Sequence, residues 1–240
     1  MAATWVPLEQ QWLGRWLLRA GGGWTGRANS VLPLGDPGCA RDDAVAFVVR
    51  WYGSRGLRPM VAVPSPVLDD LAAALRDGGW QRQWGAVVMT APVDDILAQL
   101  AERADLPRVA IDSAPDEDWL AAYHYRGGQL PAHAVQILRA GDPRFASVRL
   151  NGQVLAIGRF VASDGMVGVT AMEVGADQRR RGLGAHLLRG VATAGAAAGA
   201  GLAWLQVDRD NAPAQTLYRR AGFMPHHSYD YYAPGERTAP

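Results

Sequence analysis

Two glycines one residue apart, Gly182 and Gly184, stand between a strand-like run and a helix-like stripe, and that passage constrains the fold more than any other. Upstream, Met166 to Val174 reads as a strand; downstream, Leu187, Leu188, Val191 and Ala194 recur at helical spacing. A strand that feeds a helix through so short a turn requires a sheet layer with the helix packed on it. The turn also carries chemistry. Lacking side chains, Gly182 and Gly184 let backbone approach a ligand closely, and the amides of Arg180 to Gly184 open a helix at its positive dipole end. Arg179, Arg180 and Arg181 oppose that dipole unless an anion lies among them, so the segment reads as an anion site rather than a solvated helix start.

Composition limits what the anion can be. The 240 residues include no lysine, so all 24 basic residues are arginine. That removes a P-loop lysine, a Schiff-base lysine and a pyridoxal attachment point. Against 23 acidic residues the formal charge is +1, which argues against nucleic acid or an anionic membrane as the main partner. The lone Cys39 has no partner for an internal disulfide and stands in no metal-ligand spacing; a reducing, cytoplasmic compartment and no metal are expected. The Ala- and Gly-rich run from Val191 to Leu202 is shorter than the ~20 apolar residues a bilayer requires, and the first residues lack a signal-peptide pattern.

Along the chain, Leu8 to Arg19 predicts a helix that brings Trp5, Trp12 and Trp16 to one face, and Gly21 to Gly23 end it. A turn-rich stretch follows, then a helix from Asp42 or Asp43 with a stripe of Val45, Val48, Val49 and Tyr52. Next come a strand at Met60 to Val63, a helix at Val67 to Arg76, the pair Gly78-Gly79 and a strand at Trp84 to Thr90. From Arg181 onward the order helix, strand, helix, Gly, aromatic, strand returns. Val63 precedes Trp80 by seventeen residues and Val207 precedes Phe223 by sixteen, which reads as a weak internal duplication of two α/β lobes. Between the lobes the pattern predicts a helix at Asp94 to Ala104, a linker at Asp105-Leu-Pro and a capped helix at Asp116 to Tyr123. Strands at Ala146 to Leu150 and Val154 to Val161 follow, joined by an Asn151-Gly152 hairpin turn.

Arg179-Arg-Arg-Gly-Leu-Gly matches the R-x-x-G-x-G signature of the GNAT superfamily of N-acetyltransferases. Leu205 to Phe223, with Asn211, Leu217-Tyr218 and Gly222-Phe223, resembles that family's second signature. The resemblance covers Asp112 to Tyr232 and implies a GNAT fold: a mixed, mostly antiparallel twisted α/β (α+β) sheet flanked by helices. The first lobe resembles the degenerate first copy of tandem members, giving residues 1–105 as a related N-terminal domain and 106–240 as the catalytic one. Trp24-Thr-Gly-Arg-Ala-Asn-Ser also resembles actinobacterial members.

The resemblance further implies acetyl-CoA as co-substrate and an amine, small molecule or peptide or protein, as acceptor. Its pyrophosphate is expected on Arg179, Arg180, Arg181, Gly182, Leu183 and Gly184, and its pantetheine beside Val174 and Asn211. Tyr218 is expected to protonate the leaving thiolate. The general base is not inherited, because Gln206 and Gly168 stand where relatives place Glu. Glu173 is the nearest carboxylate, and a water relay, Asp208 or a histidine are alternatives; His124 and His133 fall in the expected acceptor-binding loops, 123–143.

Each reading has a plainer rival. Tyr218 taken alone is a core aromatic, and adjacent His226 and His227 point to opposite faces of a strand and lack a third ligand. Eight of nine tryptophans precede residue 120, which suits core packing first and an acceptor pocket or homodimer surface second. A coenzyme A-binding sensor or scaffold without turnover is the alternative to an enzyme.

Overall fold

The computed structural model describes residues 4–124 and 130–235. Residues 125–129 of the expected acceptor loop lie outside the described residues. The chain forms two compact units. One comprises Met1–Thr4, Val87–Pro131 and Leu138–His226, called here the motif unit; the other comprises Trp5–Ala86, Ala132–Ile137 and His227–Pro240, called the aromatic unit. Residues 87–105 thus cluster with the second half of the chain.

In the aromatic unit the expected first helix is a β-hairpin, β1 (Glu9–Leu13) and β2 (Trp16–Ala20), extended by β3 (Leu32–Pro33). Gly14 at φ +53° makes the tight turn, and its missing Cβ would fall 2.2 Å from the Pro37 carbonyl carbon. The helical spacing was fulfilled by coincidence: Trp12 lies on the exposed β1 and Trp16 opens β2, which is buried throughout. Helix α1 (Arg41–Gly53), strand β4 (Val61–Ser65) and helix α2 (Asp69–Asp77) follow. Trp16, Leu18, Val48, Tyr52, Leu75, Trp80 and Tyr232 share one core there.

Strand β5 (Trp80–Pro92) runs from one unit into the other. The motif unit then adds α3 (Val93–Gln99), β6 (Val109–Asp112) and α4 (Glu117–Ala122). Helix α3 stops at Gln99, short of the expected Ala104, and β6 occupies what reads as post-linker loop. Asp116 caps α4, its side chain accepting the Trp119 N–H at 2.8 Å. Helix α5 (Ala132–Arg139) escapes the sequence reading.

Strands β7 (Arg144–Leu150), β8 (Gln153–Ser163) and β9 (Met166–Val174) form an antiparallel meander, with β6 on β7. Asn151 and Gly152, at φ +50° and +82°, make the expected turn. Helix α6 (Leu183–Ala197) crosses over so that β10 (Leu202–Asp208) lies parallel to β9. Helix α7 (Ala212–Arg220) and strand β11 (Met224–Pro234) complete the second pass of helix, strand, helix, Gly, aromatic, strand. The sheet is therefore mixed and mostly antiparallel, as expected.

The core of this unit joins Leu183, Leu187, Leu188 and Val191 of α6 to Ala146, Val148 and Ala156 of the sheet, with Ile96, Tyr218 and Phe223. On the opposite face Trp119 of α4 packs edge-on to Phe145 at 5.1 Å and donates its indole N–H to Ala146 O. A buried arginine fastens the unit. Arg159 donates to the carbonyls of Thr4, Leu138 and Ala140 at 2.6, 2.7 and 2.9 Å, and burial lowers its pKa to about 10.

Candidate active site

The site is built where β9 and β10 part company. Their parallel pairing runs from Met166 with Leu202 to Val169 with Leu205 and ends there. Beyond it, β9 continues against β8 alone, with a bulge at which Ala171 adopts φ +50°. The edge of β9 from Thr170 to Val174 thus faces a wedge whose other wall is Gln206 to Asp208. Backbone groups along such an edge are free to pair with an extended ligand.

The bulge decides which side chains look where. The Met172 sulfur would lie 2.9 Å from a Cβ on Gly158, beside Leu187 of α6, and a Val174 methyl would lie 3.7 Å from a Cβ on Gly184. Met172 and Val174 thus point to the α6 face, and strand alternation sends Glu173 to the other. There both Glu173 oxygens engage His124, which follows α4: Oε2 accepts the His124 backbone N–H at 2.8 Å and Oε1 lies 3.0 Å from Nδ1.

At the wedge's end a 3-10 turn, Ala176–Gln178, leads into the glycine turn. Arg180 adopts φ +62° and Gly182 φ +85° as N-cap of α6. The first helical bond runs from the His186 N–H to Gly182 O. The amides of Leu183, Gly184 and Ala185 precede it and by helix geometry have no intrahelical acceptor. Of the three arginines, Arg179 directs Nε to Val174 O at 3.5 Å and Arg181 donates to Gln178 Oε1 at 2.5 Å.

A fourth arginine is there that the sequence did not announce. Arg103 Nη1 sits 2.5 Å from where a Cβ on Gly182 would stand. Its Nε and Nη2 are held by Asp105 at 2.7 and 2.6 Å, which leaves Nη1 facing the turn. Arg103 in turn holds the Asp105 carboxyl down at about 2. Nothing in a helix-plus-linker reading of 94–107 relates these residues to a turn some eighty positions on.

The remaining expected residues fall into two groups. Tyr218 lies in α7, buried in the core and 5.9 Å from the Phe223 ring, on the same face as α6. Asn211 is the N-cap of α7, its Oδ1 accepting the Ala214 N–H at 3.1 Å. By contrast His133 lies in the aromatic unit, its ring against Gly22. Among the described residues no group of three or more His, Cys, Asp or Glu is gathered that would hold a metal ion. No helix among them is long and apolar enough to cross a membrane.

Comparison with known proteins defines the class. Residues 1–232 match the family described as "Probable histone acetyltransferase Rv0428c C-terminal", and the chain belongs to that family of GNAT-type acetyltransferases. It is 32% identical over 236 residues, 96% of this chain and 70% of the relative, to the probable histone acetyltransferase Rv0428c of Mycobacterium tuberculosis. Its fold is similar to that of a GCN5-related N-acetyltransferase from Kribbella flavida, with a TM-score of 0.69 and 19% identity over 97% of this chain and 91% of that one. It is similar also to a tandem GNAT protein from the clavulanic acid biosynthesis pathway, with a TM-score of 0.65 and 13% identity over 94% and 79% of the two chains.

Proposed function

We propose that the chain transfers acetyl from acetyl-CoA to an amine by direct attack, with no acyl-enzyme intermediate. The observation that carries this is the conjunction of an unpaired β9 edge with a glycine-turned helix start at its end. An extended pantetheine fits the first and a pyrophosphate the second. Arg179, Arg180, Arg181, Gly182, Leu183 and Gly184 would hold the pyrophosphate. Val174 and Asn211 would flank the pantetheine arm.

In this reading the acceptor nitrogen bonds to the thioester carbon, backbone N–H near Val174 steadies the oxyanion, and the carbon–sulfur bond breaks. Tyr218 gives its phenolic proton to the departing thiolate, and a base on the acceptor side takes the proton from nitrogen. Glu173 marks that side, because it faces away from Tyr218 and α6. The relative's name makes a protein lysine the first acceptor to try. The aromatic unit, with its repeated element order, reads as a degenerate copy of the motif unit.

Thiol release from acetyl-CoA is the test, run with a panel of a lysine-rich histone-tail peptide, a polyamine and an aminoglycoside. Tyr218→Phe is expected to lower kcat by tenfold or more while leaving acetyl-CoA affinity within about twofold. Gln206, standing where relatives place a base, favours a second reading as a coenzyme A-binding sensor; tight binding with no thiol release from any amine would select it.

A further inference from the structure

We infer that His124, through its Nε2, is the group that takes the proton from the attacking amine, and that Glu173 is the positioning residue that prepares it. This rests on the acetyl-transfer reading above and names the base which that reading leaves open.

Three observations carry it. First, Glu173 is fully engaged: one oxygen accepts the His124 main-chain N–H at 2.8 Å and the other meets His124 Nδ1 at 3.0 Å. A carboxylate gripped through both oxygens is a good anchor for a ring. Second, the anchor selects the tautomer. An acceptor at Nδ1 keeps the proton of the neutral ring there and leaves the lone pair on Nε2, the state a general base requires. The His124 side chain is 64% exposed against 24% for Glu173, so the ring and not the carboxylate is the reachable partner. Third, the pair stands beside Val174, whose backbone the reading above sets against the thioester. Glu173 directly precedes Val174 and points away from α6, whereas Tyr218 belongs to the α6 side. Base and acid thus approach one carbonyl carbon from opposite faces of the sheet, as attack by nitrogen and departure of sulfur require.

The step balances without any further reactant. The nitrogen lone pair forms the C–N bond, its proton passes to His124 Nε2, the C–S bond breaks, and the thiolate is protonated by Tyr218. Solvent then returns a proton to the phenol and removes one from the imidazole.

The test uses the full chain with His124→Ala, His124→Gln and Glu173→Gln. Thiol release is measured with the same amine panel, and imidazole nitrogen shifts are read by NMR. For His124→Ala the expected result is a fall in kcat of about a hundredfold, an acetyl-CoA KM within twofold, and partial recovery with millimolar imidazole. Glu173→Gln is expected to retain the histidine but shift its neutral ring from the Nδ1–H to the Nε2–H tautomer, with an intermediate loss of kcat. Recovery by imidazole is a readout that mere loss of a structural contact does not give. An undiminished rate in His124→Ala, a diminished rate that imidazole does not restore, or a tautomer unmoved by Glu173→Gln overturns the assignment while acetyl transfer stands. If the unaltered chain releases no thiol with any amine of the panel, the acetyl-transfer reading itself fails and takes this role with it.

Discussion

The guanidinium of Arg103 stands over Gly182, so close that a methyl group on that glycine would lie 2.5 Å from Nη1. The two residues belong to distant parts of the sequence, one just after α3 and the other opening α6. Their approach sets a guanidinium at the rim of the glycine turn.

Gly182→Ala meets one large obstacle and displaces one mobile group. The left-handed φ of +85° costs an L-residue about 1–2 kcal/mol, and the new methyl meets Arg103. The expected outcome is acetyl-CoA binding weakened by about tenfold or more, a fold-change corresponding to ~1.4 kcal/mol per decade. Calorimetric titration measures it. Adding Arg103→Ala removes the collision but not the backbone cost, so the double variant should stay weaker than wild type.

Arg103→Ala alone is expected to weaken acetyl-CoA about fivefold at low salt and far less at high salt, as an exposed charge contact behaves. Asp105→Asn should do part of the same by releasing the guanidinium. The Asp105 carboxyl is held at about 2 by Arg103, so the pair is complete above the ordinary carboxylate range and is lost only as the pH falls through about 2. Between pH 5 and 9 the ratio of wild-type to Asp105→Asn affinity should therefore be flat. A ratio that moves with pH in that window would show that Asp105 does not set the orientation.

Arg159→Leu strands the carbonyls of Thr4, Leu138 and Ala140 without their donor. Loss of about 3–5 kcal/mol in urea unfolding is expected, in line with leaving three buried carbonyls without a donor. Arg159→Lys keeps the charge but lacks the planar fork that spans three acceptors, so it should recover only part of the loss.

Asp116→Ala removes the cap of α4 and the partner of Arg149, which it meets at 2.7 Å. About 1 kcal/mol of stability is the expected cost at pH 7. The Trp119 N–H, and after it Arg149, hold the Asp116 carboxyl below its ordinary value. The stabilisation is thus present above the unfolded carboxylate pKa of ~3.9 and fades as the pH falls through the lower folded value. Thermal midpoints of the two proteins should converge in acid; a gap that persists at pH 2 would refute the cap assignment.

The glycine turn, the Asn151-Gly152 hairpin, the Asp116 cap and the order of elements from Arg181 to β11 are legible in the sequence because each is decided within a few residues. Backbone conformation at a glycine, a side chain reaching an amide three residues on, and the periodicity of a long helix are local physics. The local signal misleads at Leu8 to Arg19, where apolar residues at helical spacing form a hairpin instead. There the unbroken burial of Trp16 to Ala20 and the tight turn at Gly14 outweigh a propensity worth only tenths of a kcal/mol per residue.

A strand that enters a helix through a glycine-rich turn, with an asparagine and a tyrosine following at the family's spacing, is thus written locally in the chain. That Arg103 joins that turn, and that the bulge at Ala171 sends Glu173 away from α6 onto His124, comes instead from the packed fold. The reason is physical. Contacts between residues 49 or more positions apart depend on strand register and helix packing, which are summed over the whole core and are written at no single position.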